Sequence, residues 1–309
     1  MSDERVIVRI VREIADKHGW KVQTYSDDWV IEISDDVTRV YIYGYVLPNN
    51  NASVNYLAKD KSAMYDVLDH HNIPAVEHKY YLGDISAREG RFVCDMPAIL
   101  GYLARYGTIV IKDNVGTGGR GVYKASSKAE VEEILDQYAT DFESVSVSPY
   151  LDIDAEYRVI VEDGKCRLAY KKERAFVAGD GKSTIAELAT AKYGKTVTID
   201  RDIARDMIVA RGDKVLLNWR HNLGLGAVPS NIDDVTLLHT LYTLASSVVD
   251  VIGIRLASVD IVEVNGKYMI LEINGGLMME KWATISPDNY KTACEIYEHS
   301  LLNAMKSKY

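Results

Sequence analysis

At 309 residues, with 47% hydrophobic and 26% charged residues, the chain can bury a sizeable core, and length alone suggests about two or three domains. A net charge of -9 and a pI near 5.3 argue against a nucleic-acid partner, which would need a basic face against phosphates. The cysteines, Cys94, Cys166 and Cys294, are odd in number, far apart and without CxxC spacing, so neither a disulfide framework nor a zinc site is expected and a reducing compartment fits.

The N-terminal stretch carries charges inside its apolar run, so it reads as neither a signal peptide nor a membrane span, and a cytoplasmic protein with no membrane partner is expected. Val6, Ile7, Ile10, Val11 and Ile14 recur at helical spacing with Gly19 as a stop, which predicts an amphipathic helix of about fifteen residues. Residues 28–33 and 37–46 read as strands, and Pro48 followed by Asn49, Asn50 and Asn51 breaks the pattern. A helix is expected from Lys59 to His71, ending before Pro74, then a strand over 77–82 and a helix over 96–105 with Pro97 in its first turn. Strands and helices alternate thereafter without repeats, so the fold class is α+β. The expected organisation is a small N-terminal α/β unit (1–53), a lobe with a glycine-rich loop (54–147) and a C-terminal lobe (148–309).

Residues 108–124 read TIVIKDNVGTGGRGVYK, a strand, then Gly116, Gly118, Gly119 and Gly121, then a second strand. Such a loop lets backbone N–H groups approach phosphate oxygens without Cβ interference. The literal GxGxxG lacks the helix a dinucleotide fold requires, the Gly-Lys-Ser/Thr ending of a Walker loop is missing, and no HRD or DFG segment supports a protein kinase. What remains is strand, mobile loop, strand, with Lys112 entering the loop, or else an ordinary glycine-rich hairpin.

Residues 256–274, LASVDIVEVNGKYMILEIN, read as two strands around Asn265-Gly266. Glu272 and Asn274 share a strand face, and with Asp260 they form a hard oxygen set suited to nucleotide-bound Mg²⁺; a half-solvated acidic sheet face is the plainer alternative. Register decides between them. A two-residue Asn-Gly turn with a regular ladder puts Asp260 opposite Leu271 and Glu272 on the other face, so a shared metal requires a longer loop or a bulge.

Together these segments resemble the ATP-grasp superfamily from about Ala58 to Asn274, in particular the branch containing cyanophycin synthetase, glutathione synthetases and ribosomal-protein glutamate ligases. LAKDKSAMYDVLDHHNIPAVE is similar to the opening helix of that ATP-binding unit, with Lys61 at its nucleotide-contacting lysine. IVIKDNVGTGGRGV resembles the strand and phosphate loop, with Lys112 on the phosphates. SPYLDIDAEYRVIVEDGKCRLAYKKER resembles the segment joining the lobes, which implies adenine and ribose contacts at Val147, Ser148, Tyr150, Leu151 and Asp154 and a strand carrying Glu156-Tyr157-Arg158. Ser148 stands where the family commonly has Glu, and Asp-Ile-Asp-Ala replaces its usual Gly. GDGKSTIAEL resembles an insertion of that branch, Arg220-His221-Asn222-Leu-Gly-Leu-Gly its RxNLxxGG segment, and SVDIVEVNGKYMILEIN its metal hairpin.

The resemblance implies an ATP-grasp fold of two α+β lobes clasping ATP, with one or two Mg²⁺, replaceable by Mn²⁺, on Asp260, Glu272 and Asn274. It implies a ligase joining a carboxylate to an amine through an acyl phosphate. Arg220 would face the transferring phosphate with Asn222 beside it, and Arg158 would bind the acceptor carboxylate. Lys172, on one strand face with Arg174, would either add cationic character to the substrate site or be solvated. His221 is assigned no role. Small-molecule carboxylate and amine substrates, or a peptide, are the implied partners, in a homo-oligomer. A peptide-tailoring ligase acting on a ribosomal precursor, a non-catalytic ATP-binding regulatory module and a kinase on the same fold are the competing readings.

Overall fold

The computed structural model describes residues 4–82, 96–119, 121–138 and 144–306. Helix α1 (Val6–His18) turns Ile7, Val8, Ile10, Val11 and Ile14 inward and ends at Gly19, whose φ of 69° provides the left-handed cap the spacing predicted. Strands β1 (Lys21–Tyr25), β2 (Val30–Ser34) and β3 (Arg39–Tyr43) form an antiparallel sheet in that order, β1 being a strand the sequence reading did not mark. Ile31, Ile33, Val40 and Ile42 pack under α1 in a core that also takes Tyr297 and Leu301 from the chain's last helix, so 1–53 is closed by residues far along the chain.

Helices α2 (Ala52–Lys59) and α3 (Lys61–His70) follow, each N-capped by a side chain, Asn51 onto Val54 N and Asp60 onto Ala63 N. Next come β4 (Lys79–Leu82), α4 (Met96–Tyr106), β5 (Ile109–Asp113), β6 (Val122–Ala125), α5 (Lys128–Tyr138) and β7 (Ser144–Pro149), the strands pairing antiparallel as β4-β7-β5-β6. Ile109, Ile111, Val145 and Val147 face α4 and α5 across Ile99, Val131 and Ile134. Strand alternation therefore gives the opposite face to Val110, Lys112, Ser144, Ser146 and Ser148, which are buried.

The chain then forms β8 (Ala155–Glu162) and β9 (Lys165–Glu173) and an insertion of β10 (Phe176–Ala178), α6 (Ile185–Tyr193) and β11 (Lys214–Leu216). A capping box between Thr184 and Glu187 starts α6. After the insertion come β12 (Val228–Asn231), α7 (Val235–Ile252), β13 (Leu256–Val264), β14 (Lys267–Asn274), α8 (Glu280–Ala283) and α9 (Pro287–Lys306). The large sheet runs β12-β9-β8-β13-β14. Among the described residues α7 alone is long and apolar enough to cross a membrane, and it lays Leu241, Ala245 and Val248 against Val159, Val161 and Ile261 of this sheet. Ala58, Met64 and Leu68 of α2 and α3 join that core rather than the core of the four-stranded sheet.

Asn50, in the segment read as a break, ties the parts together. Its Oδ1 accepts from Arg255 N (2.8 Å) and Leu256 N (3.0 Å) while Nδ2 donates to Leu256 O (2.7 Å). At about 1 kcal/mol per net hydrogen bond, and more for groups left unpaired, Asn50→Ala is expected to lose about 2 to 3 kcal/mol of stability, read as a lowered urea midpoint; an unchanged midpoint would show that water replaces these bonds.

Candidate active site

The acidic hairpin resolves its register question with a bulge. Asn265 (φ 50°) and Gly266 (φ 72°) make the two-residue turn and Val264 pairs Lys267, yet the ladder shifts between Asp260 and Ile261 so that Asp260 lies opposite Glu272. Leu271 is the extra residue. Ile270 and Ile273, three apart, can then both enter the core under α7, and Asp260, Glu272 and Asn274 share the other face.

On that face the neighbouring strands supply cations. Arg158 of β8 lies opposite Asp260 and binds it with two parallel bonds, Nε to Oδ1 at 2.7 Å and Nη2 to Oδ2 at 2.8 Å. Lys172 of β9 donates to Asp260 Oδ2 at 3.0 Å and pairs with Glu156 of β8. All four are largely buried, Asp260 at 2% and Lys172 at 3% exposure, so Lys172 is not solvated. Burial alone would raise the Asp260 carboxyl, but Arg158 and then Lys172 hold it down to about 2. Burial, with the Asp260 charge adding to it, pushes the Glu156 carboxyl up despite Lys172 and Arg158, so Asp260 is the firmly ionised member. Arg158, expected at an acceptor carboxylate, here engages Asp260 through Nε and Nη2, and Asp260, expected as a metal ligand, faces these two cations. Among the described residues no cluster of three His, Cys, Asp or Glu is arranged to hold a metal.

Glu272 and Asn274 are half-buried, and Lys61 Nζ stands 3.9 Å from Glu272 Oε1. One carboxylate and one amide oxygen suit Mg²⁺, which prefers few protein ligands and completes its shell with phosphate oxygens and water. These two residues fit a nucleotide-bound Mg²⁺, with Asp260 ordering the cations behind them.

Lys61 has a task the sequence did not show. Its ammonium donates to the carbonyls of Asp113 (3.2 Å), Asn114 (3.3 Å) and Gly116 (2.8 Å), gathering the base of the glycine loop. Asn114, fully buried, completes the joint by accepting from Ser62 N and Oγ and donating to Asp60 Oδ1. Lys112 is different. It is 9% exposed, burial and then the neighbouring Lys61 charge push it down to about 8, and His78 beside it is kept neutral by its own burial and then by Lys112. A buried ammonium with like charge beside it favours an incoming anion.

The loop is held from the other side by the RHN segment. Arg220 Nη1 reaches the carbonyls of Gly119 (3.5 Å) and Val122 (3.3 Å), while Asn218 Oδ1 accepts from Nε at 3.0 Å and Asp200 of the insertion lies 3.5 Å from Nη2. Asn222 caps the short 3₁₀ turn Leu223–Leu225 and presses its amide on Gly119, where a Cβ would meet Nδ2 at 2.7 Å. Gly119 also has φ 73°, so only glycine suits the position. Gly116 and Gly121 lie within the same loop, and Gly118 shares the left-handed φ with open space around it.

The lobe junction divides the expected nucleotide contacts. Ser148 faces away from α4 and α5, whereas the Val147 side chain points into their core at 2% exposure. Tyr150 stacks edge-on against Trp219 (5.6 Å between centroids), with the Lys124 ammonium 5.4 Å from its ring centre. Leu151 is half-buried beside it. Asp154 is committed to the hairpin turn, accepting from Asn265 N at 2.8 Å. His221 is buried against the Lys172 carbonyl (2.8 Å), and burial takes it down to about 4. Sequence reasoning missed Asp200, Asn218 and Asn114, each a buried polar side chain whose signal lies only in its tertiary partner.

No family model matches the chain. Two curated relatives, the cyanophycin synthetases of Trichormus variabilis and of a Nostoc species, are each 25% identical over 288 residues, covering 86% of this chain and 30% of theirs. The chain thus spans about a third of the length of the curated relatives it matches. The bifunctional glutathione synthetase of Pasteurella multocida superposes with a TM-score of 0.57 at 14% identity, covering 96% of this chain and 44% of that one. The D-alanine–D-alanine ligase of Bacillus anthracis does so with a TM-score of 0.55 at 15% identity, covering 82% and 71%. These likenesses identify the fold as that of the ATP-grasp ligases, as the resemblance implied.

Asp260→Asn would leave Arg158 and Lys172 buried over a neutral amide, a change that costs about 3 to 5 kcal/mol. Because the Asp260 carboxyl is lowered from 3.8 to about 2, its contribution is complete above pH 3.8 and is lost as pH falls through about 2. Denaturant titrations should show wild-type stability falling over that window and the variant's curve flatter there; equal slopes would remove the charge pairing as the cause.

Proposed function

We propose that this chain binds Mg-ATP between its four-stranded and five-stranded sheets and joins a carboxylate to an amine through an acyl phosphate, on amino-acid or small-peptide substrates. The observation that carries the reading is a convergence from distant segments. Lys112 presents a buried cation, Glu272 and Asn274 present open oxygens, and the glycine loop is drawn in by Lys61 and Arg220. A lone acidic sheet face or a lone glycine hairpin would need none of the others. The synthetase and ligase names of the relatives support the same reading.

The carboxylate oxygen attacks the γ-phosphorus, the bond to the bridging oxygen breaks, and ADP leaves with that electron pair. The amine lone pair then attacks the acyl carbon, phosphate departs with the C–O electrons, and the amine's proton passes to the phosphate or solvent. Lys112 is placed to hold phosphate oxygens through both steps, and Arg220, with a planar fork of donors at the loop, suits the transferring group. Glu272 and Asn274 would hold a Mg²⁺, which would supply neutralisation of the charge that develops on the phosphates. The latched loop keeps water from the acyl phosphate.

Purified protein given Mg-ATP and pools of amino acids should release ADP and phosphate only when an amine is present, with a dehydrated adduct in the mass spectrum. Tight ATP binding with no turnover across broad pools would instead favour a regulatory module. With Lys112 near pH 8 in the free protein and phosphate favouring its charged form, ATP affinity should weaken as pH rises through about 8, and Lys112→Met should abolish that dependence along with most of the affinity. Gly119→Ala, clashing with Asn222 at a left-handed φ, should lose about 100-fold in turnover, since misplacing a closing loop by about 1 Å has that effect, while staying folded with a stability loss of only about 1 to 2 kcal/mol; full activity would show that the latch is dispensable.

A further inference from the structure

The insertion after β9 forms one wall of a cavity that the proposed nucleotide chemistry leaves unexplained. Edge strand β6 lines it with Val122, Tyr123 and Lys124, residues 198–202 and Arg205 line it from the insertion, and Trp219 and Arg220 complete a space of about 230 Å³. That is below the roughly 300 Å³ at which pockets for drug-sized ligands begin, so one amino-acid-sized group is the natural occupant.

The lining has a definite charge. Four cations, Lys124, Arg201, Arg205 and Arg220, meet two carboxylates, Asp200 and Asp202, leaving positive charge in excess. No pair within the cavity is close: Arg220 to Asp200 is 3.5 Å, Lys124 to Asp202 is 3.7 Å and Arg201 to Asp202 is 3.8 Å. Arg205 uses one nitrogen on the Ile199 carbonyl at 3.2 Å. The loosely engaged guanidinium groups of Arg201 and Arg205, in one lining with an indole ring, suit a carboxylate on a short aliphatic stem, the stem on Trp219 and the oxygens on these two arginines. Arg220 also holds the Gly119 and Val122 carbonyls, so the cavity adjoins the loop over the proposed phosphates.

We propose that this cavity takes the side-chain carboxylate of a glutamyl or aspartyl group, which makes acidic amino acids or acidic peptides the substrate class. The substrate assignment rests on the ligase reading; the carboxylate pocket stands on its own lining.

Glutarate and its uncharged counterpart glutaramide, titrated calorimetrically into the full chain at fixed ionic strength, separate the two. Glutarate should saturate and glutaramide bind at least about tenfold more weakly, and Arg201→Gln with Arg205→Gln should weaken glutarate about tenfold, the equivalent of about 1.4 kcal/mol. Should that double variant unsettle the insertion, seen as a lowered thermal midpoint, Lys124→Gln tests the same pocket from the other sheet and should weaken glutarate severalfold. Equal binding of the two probes, or glutarate binding untouched in folded variants, overturns the pocket. ADP release with Mg-ATP and pools of amino acids, followed on the same protein preparations, tells the two readings apart. Turnover on neutral amino acids as fast as on acidic ones overturns the substrate class and leaves the ligase; glutarate binding through Arg201 and Arg205 with no ADP release on any amino-acid pool supports the pocket and sinks the ligase.

Discussion

A charged group can sit in a sheet interior only if its neighbours neutralise it, and Glu156, Lys172, Arg158 and Asp260 do this across three adjacent strands of the five-stranded sheet. The requirement fixes register. A one-residue slip of β8 against β13 would turn Arg158 into the apolar core beneath α7 and strand Asp260 without a fork, an error of several kcal/mol on both counts. Glu272, one strand further out, is the first acid in the row not claimed by a strong partner. The network thus sets where open anionic character begins, at the edge of the sheet that faces Lys61 and Lys112.

The two cations of that region divide labour according to their surroundings. Lys61 sits at the start of α3 and finds three carbonyls within reach, so its charge organises the loop base. Lys112, one strand position from the same loop and among buried serines, has no such acceptors among the described residues, and burial makes its charge expensive until an anion arrives. Arg220 bridges loop and insertion, touching Gly119 and Val122 on one side and Asp200 on the other, which places the insertion's geometry in direct contact with loop closure.

Much of this was legible in residue order, and what was not has identifiable physical causes. Asn265-Gly266 announced the hairpin, and strand parity showed that a regular ladder could not bring Asp260 and Glu272 together; the bulge that does so follows from Ile270 and Ile273 both needing the core, a demand visible only once α7 is seen to cover them. The alternation in Ser-Val-Ser-Val-Ser at 144–148 did hold the answer for the Val147 side chain, since Val145 and Val147 must share the apolar face. The partners of Arg158, Lys172 and Asp154 lie 102, 88 and 111 residues away, beyond any local pattern.

The joint between the sheets differs in kind from the cores on either side. The four-stranded sheet closes its own apolar cluster with α4 and α5, and α2 and α3 belong to the cluster under the five-stranded sheet. Lys61, Asn114, Asp60 and Ser62 join them through hydrogen bonds that water can replace one at a time. An apolar joint would resist opening in proportion to the area exposed, whereas a polar one exchanges partners at about 1 kcal/mol per bond. The glycine loop that the four-stranded sheet carries is gripped from the far side by Arg220 and Asn222, so it too is held by polar contacts rather than by an apolar core.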